Sequence, residues 1–136
     1  YKAADNGVKI KMIVRGICCL IPTQHKNIKI ISIIDRFLEH TRIFIFNNNK
    51  KNETYISSAD WMTRNLDNRV EVTCPIHDSK IKKEINDIFN IYWSDNLKSR
   101  LINQKDANVY KSDIKKSNSV RSQLEIYNYY KSKIEN

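Results

Sequence analysis

Ile31-Ser32-Ile33-Ile34-Asp35-Arg36-Phe37-Leu38-Glu39-His40-Thr41-Arg42-Ile43-Phe44-Ile45-Phe46 has two apolar ends and a charged middle. Apolar, β-branched and aromatic runs too short for a helix read as strands. The charged middle is then a connection at the strand tips, where polar groups meet solvent. Alternation sends residues two apart to one side of a strand. His40 and Arg42, at the start of the second run, therefore face one spot. An imidazole and a guanidinium aimed together suit a phosphoryl oxygen.

Working outward, residues 8–14 alternate strictly, with Val8, Ile10, Met12 and Val14 on one side. Further short strands are expected at residues 17–21, 28–34, 42–46, 55–58 and 70–74. Residues 47–54 carry no apolar side chain and predict an exposed connection. Upstream, residues 1–7 hold helix formers that run into Gly7 with nothing before them to start the helix, as though a longer chain had been cut. After Pro75 the period becomes helical, with Ile81, Ile85, Ile88, Phe89 and Tyr92 on one face and Asp78 or Ser79 as the N-cap. A polar stretch from Ser94 leads through Leu101 and Ile102 to an edge strand at residues 108–111. A second helix follows, marked by Val120, Leu124, Tyr127 and Ile134, with Ser117 or Ser119 before it. No internal repeat is visible. The sum is an α/β fold, a mixed sheet flanked by helices, in one domain over residues 1–136.

Composition narrows the partners. Twenty-four Lys and Arg stand against 15 Asp and Glu, a formal net charge of +9, which selects anions: nucleic acid, acidic lipid, nucleotide or polyphosphate. No apolar run approaches the about 20 residues of a spanning helix, and residues 1–7 lack a signal-peptide layout, so the chain reads as soluble and cytoplasmic. Cys18, Cys19 and Cys74 lack metal-ligand spacing, and Cys18 and Cys74 sit among apolar residues, as buried thiols do.

Seventeen residues after His40 comes Ser57-Ser58-Ala59-Asp60, small hydroxyls and a carboxylate at another strand end. His40-Thr41-Arg42 with this segment resembles the HxK…GSxN layout of the phospholipase D superfamily, with Arg for Lys, Ser for Gly and Asp for Asn. The wording around it is more specific. Val14-Arg15-Gly16-Ile17-Cys18-Cys19-Leu20, the segment from Ile31 to His40, then Tyr55-Ile56-Ser57-Ser58-Ala59-Asp60-Trp61-Met62-Thr63-Arg64-Asn65-Leu66-Asp67 and Arg69-Val70-Glu71-Val72 resemble the last domain of bacterial polyphosphate kinases. The resemblance spans residues 3–101 and fades over 102–136. The turn after Phe46 departs from it, since relatives carry glycines there and this chain has none.

The resemblance implies a phospholipase-D-like domain that takes part in reversible transfer of the terminal phosphate of ATP to polyphosphate through a phosphohistidine. That histidine belongs to a preceding domain of the same polypeptide, as do the residues associated with Mg2+. Arg15 and His40 correspond to the family's contacts with nucleotide phosphates, and on that reading this chain alone has no turnover. Partners implied are ATP or ADP, polyphosphate and the preceding domain, in a homo-oligomeric full enzyme with membrane association left open and no nucleic acid. A basic polyanion or nucleic-acid binding module on the same fold is the rival. Arg suits the role because its planar fork grips phosphate bidentately. A nucleoside diphosphate leaves readily, so catalytic His40 is expected to bind phosphate and stabilise the transition state, with general acid or base chemistry as the lesser option.

Around these two, Arg42, Arg64 and Arg69 would add positive charge, Ser57 and Ser58 would donate hydrogen bonds, and Asp60, Asp67 and Glu71 would hold the arginines in place. His25 and His77, beside turns, read as solvated loop residues. Trp61 and Met62 read as core. Lys111, Lys115, Lys116, Arg121, Lys131 and Lys133 read as a solvated face, with a polyphosphate-guiding surface as the sharper option.

Overall fold

The computed structural model describes residues 1–22, 25–103, 109–111 and 119–135. In chain order its elements are α1 (Lys2–Asp5), β1 (Ile10–Ile13), β2 (Ile28–Ile33), β3 (Ile43–Phe46), β4 (Glu53–Ser57), α2 (Thr63–Leu66), β5 (Thr73–Ile76), α3 (Ser79–Ser94), β6 (Ser99–Leu101) and α4 (Ser122–Ile134). The fold is mixed α/β. Two compact units emerge, Tyr1–Glu39 with Asn90–Asn136, and His40–Phe89. Each owns one three-stranded sheet, β1-β2-β6 in the first and β3-β4-β5 in the second.

In the first unit β1 runs parallel to β2, and β6 pairs antiparallel on its other side. The central strand β2 is buried on both faces, which its near-continuous isoleucines require. Ile28 and Ile30 pack with Ala4 against Ile10, Met12, Val14, Cys18, Leu20 and Ile102. Ile31 and Ile33, on the opposite face, are buried as well. Each such side chain contributes about 1.5–3 kcal/mol. Gly7 ends α1 in the left-handed region, φ +87°. Its N–H and that of Val8 return to the carbonyls of Ala4 and Ala3, both at 3.0 Å, a Schellman closure that needs the glycine.

The second unit's sheet is antiparallel throughout. In the turn from β3 to β4, Lys51 N–H closes on Asn48 O at 2.8 Å, with φ 49° at Asn49 and 67° at Lys50. Two left-handed central residues make a turn of the type I′ hand, which matches the twist of the strands it joins. Asn tolerates that region, whereas Lys is strained in it. Asp78 caps α3 by accepting Lys80 N–H at 2.8 Å and Ile81 N–H at 2.9 Å.

Several expectations need correction. Residues 17–21 form no strand; Cys18 and Leu20 turn inward, but Ile17 is 90 % exposed and Ile21 N–H goes to the Tyr1 hydroxyl at 2.9 Å. β5 begins at Thr73, not at residue 70, and runs through Pro75, tolerated because β5 is the sheet edge. β6 was not expected, since two of its three residues are polar. Of the expected edge strand at 108–111, Asn108 lies outside the described residues and Tyr110 makes a lone bridge to Arg100. Ser117 also lies outside them, and Ser119 does not cap α4. The three thiols are free; Cys18 packs half-buried against the core, while Cys19 and Cys74 are exposed rather than buried.

Candidate functional site

In the second unit, Arg42 precedes β3 and Asp60 follows β4, and the antiparallel pairing of those strands brings the two together. Arg42 Nε donates to Asp60 Oδ1 at 2.9 Å. That bond, with the attraction of the carboxylate, raises the pKa of the guanidinium further. Arg42 Nη1 donates to His40 O at 3.3 Å and lies 3.4 Å from His40 Nδ1. An arginine N–H can only donate, so a hydrogen bond between the two requires the imidazole tautomer with Nδ1 bare and the proton on Nε2. His40 is exposed. In that tautomer the exposed imidazole presents Nε2–H beside a largely buried guanidinium that a carboxylate holds in place.

The hydroxyls act differently from expectation. Ser58 Oγ donates to Glu71 Oε2 and accepts Val72 N–H at 3.0 Å. Ser57 Oγ shares a hydrogen bond with Thr73 Oγ1 at 2.8 Å and accepts Ala59 N–H at 3.1 Å. Both hydroxyls are engaged between the end of β4 and the start of β5. Glu71 Oε1 also accepts Asn65 Nδ2 at 2.7 Å. The Ser58 bond first, then that of Asn65, with Arg69 and Arg42 adding field, hold the Glu71 carboxyl below its usual range. Of the three acids expected to hold arginines, Asp60 binds Arg42, Glu71 binds Ser58 and Asn65, and Asp67 is an exposed C-cap of α2. Arg64 and Arg69 are exposed.

Trp61 is not core. It is 67 % exposed and stacks on Phe44 at 5.2 Å, and Met62 is 45 % exposed. His77 is exposed, as expected. A groove of about 590 Å³ beside the β3–β4 turn is lined by Lys50, Lys51, Lys82 and Lys83 with Glu53. None of these is among the residues singled out from sequence.

In the first unit, Arg15 follows β1, and its Nη1 donates to Glu39 O at 2.7 Å. Glu39 in turn accepts Gln123 Nε2 at 2.7 Å. Arg121 is no solvated tail residue: its fork grips both oxygens of Asp35 at 2.7 Å each. That bond, outweighing burial, lowers the Asp35 pKa. His25 is likewise not solvated, since it stacks on Tyr1 at 4.6 Å and bonds Asp5 at 2.8 Å. Lys111 donates to Trp93 O, and Lys133 sits over the Tyr129 ring. Lys115 and Lys116 lie outside the described residues.

For a divalent ion, the acids here do not fit. Asp60 and Glu71 are engaged as described, and among the described residues no three carboxylate, imidazole or thiol groups converge. No helix of the described residues is long and apolar enough to cross a membrane.

Residues 1–123 match the family model described as polyphosphate kinase C-terminal domain 2. This carries the match past Leu101, where the resemblance in the sequence faded, into α4. The chain is 50 % identical over 136 residues to a polyphosphate kinase of Vibrio parahaemolyticus, covering 96 % of this chain and 19 % of that protein. It is 45 % identical over 137 residues to that of Escherichia coli K12, covering 97 % and 20 %. The crystal structure of polyphosphate kinase from Porphyromonas gingivalis superimposes with a TM-score of 0.91 at 47 % identity, over 98 % of this chain and 21 % of that one. The chain therefore spans about a fifth of the length of the relatives it matches.

Proposed function

The chain belongs to the polyphosphate kinase family, matching its C-terminal domain, and from that premise we propose that it is the phosphate-binding half of a two-domain phosphoryl-transfer site. The fold is read as phospholipase-D-like. The whole enzyme would move the terminal phosphate of ATP reversibly onto polyphosphate through a phosphohistidine in the preceding domain. This chain would supply Arg15 and His40 to the nucleotide phosphates, with Arg42 beside His40. Mg2+ would be held by the preceding domain; of the acids around His40, Asp60 and Glu71 are engaged by Arg42 and by Ser58 and Asn65.

The observation that carries the reading is Arg42, fixed by Asp60 at 2.9 Å with His40 Nδ1 at its edge. A loose, metaphosphate-like transition state asks the protein mainly to position and to neutralise charge. A guanidinium already aimed by a carboxylate reorganises little when phosphate arrives. The nearby imidazole offers Nε2–H as a hydrogen-bond donor to an oxygen of the transferring group. Neither acts as nucleophile.

The test is calorimetric titration of ATP and of polyphosphate, with Arg15→Ala and His40→Gln beside the parent. Binding that weakens about tenfold or more in each variant supports the proposal. Duplex DNA bound tightly and indifferently to both changes, with no ATP binding, would instead favour a polyanion-binding module.

A further inference from the structure

Outside the His40 and Arg42 cluster, at the start of α4, side chains far apart in sequence converge on residues 35–39. Asp95 is fully buried. Its Oδ1 accepts the N–H groups of Leu97, Lys98 and Ser99 at 3.1, 2.8 and 3.0 Å. Its Oδ2 accepts Ser122 N–H at 2.7 Å and Ser122 Oγ–H at 2.8 Å. The same carboxylate thus shapes the turn into β6 and caps α4 from outside the helix. Buried carboxylates persist only when so satisfied, and each donor is then rigidly placed.

From this anchored turn, two side chains reach residues 35–39. Arg121 holds Asp35, whose side chain is 3 % exposed, through a two-pronged pair. Gln123 pairs with the backbone of Phe37 as a strand would, accepting its N–H at 3.1 Å and donating to its carbonyl at 2.9 Å. The same amide donates to Glu39 Oε1 at 2.7 Å, and Glu39 O receives Arg15 Nη1 at 2.7 Å.

We propose that Gln123 is a positioning residue for Arg15, acting through Glu39, with Arg121 and the Asp95-capped turn as its support. Gln123 touches no reacting group. It fixes the height of the Glu39 backbone, and Glu39 fixes where the Arg15 fork points. The inference rests on the reading of Arg15 as a phosphate ligand.

The experiment uses the full-length enzyme and reads the KM for ATP, kcat and the melting midpoint. Gln123→Glu has the same size, keeps the acceptor for Phe37 N–H, removes the donor and sets two carboxylates against each other. It should raise KM for ATP about tenfold while kcat changes less than about threefold. Adding Glu39→Gln exchanges donor and acceptor, restores the bond between the two side chains and should recover part of that loss. Arg15→Ala is the reference. If it raises KM but Gln123→Glu does not, or the double variant recovers nothing, the positioning role is wrong and the phosphate site stands. If Arg15→Ala leaves KM unchanged, the phosphate reading itself falls. A Gln123→Glu loss that follows a lowered melting midpoint, with KM and kcat failing together, would also overturn the proposal, since it would mark a merely structural contact.

Discussion

Arg42 is the residue whose chemistry depends most on its neighbours. Its Nε is tied to Asp60 and its Nη1 to His40. Lysine offers one compact ammonium that cannot keep both contacts. Arg42→Lys in the full-length enzyme is therefore expected to lower kcat/KM for ATP by about tenfold or more, measured by steady-state kinetics. For His40, the binding role predicts that His40→Gln lowers the rate uniformly without reshaping the pH profile. A lost limb of that profile would restore the acid role. Asp35 gives a second pH signature. Its pKa is lowered by Arg121 in the folded chain. The stabilisation it gives is therefore full above the usual aspartate value of about 4 and is lost as pH falls through the lowered value. Urea unfolding should show Asp35→Asn less stable than the parent near neutrality, with the gap closing in acid.

Among the elements, those with a strong apolar period were legible before any coordinates. β2, β3, α3 and the Gly7 closure stand where alternation, helical period and the glycine put them, whereas β4 begins at Glu53 and buries Thr54, two residues inside the stretch expected as an exposed connection. β6, with Leu101 as its sole apolar residue, was not legible; α4 follows from its helical period, but its cap does not, because it comes from Asp95, 27 positions upstream of Ser122. The site divides the same way. Proximity of His40 and Arg42 follows from spacing within one segment, and the Asp60 partner from the pairing of β3 with β4. Gln123 and Arg121 lie over 80 residues from their partners, and no local signal marks them. The family match running to residue 123 is the one sequence-level hint. The β3–β4 turn yields its own prediction. Lys50 at φ 67° pays a left-handed penalty of about 1 kcal/mol that glycine avoids, offset in part by glycine's greater unfolded entropy. Lys50→Gly should stabilise the chain by about 0.5 kcal/mol in urea unfolding, with the strands unchanged.

At the scale of the molecule, the first unit's stability rests on β2, buried on both faces. Ile30→Ala should cost about 2–5 kcal/mol by urea unfolding, far more than Ile17→Ala, since Ile17 is 90 % exposed. In the proposed reading, function divides between this chain and the remaining four-fifths of its relatives' length. In the reading we propose, the donors set by Asp60 and Glu39 receive phosphate and the nucleophile belongs to the preceding domain. The direct measurement is to treat the full-length enzyme, and its His40→Gln and Arg15→Ala variants, with γ-labelled ATP and to map the phosphohistidine. The account predicts label outside residues 1–136 in all three, formed more slowly in both variants. Label on His40 itself, or labelling rates untouched by both substitutions, would contradict it.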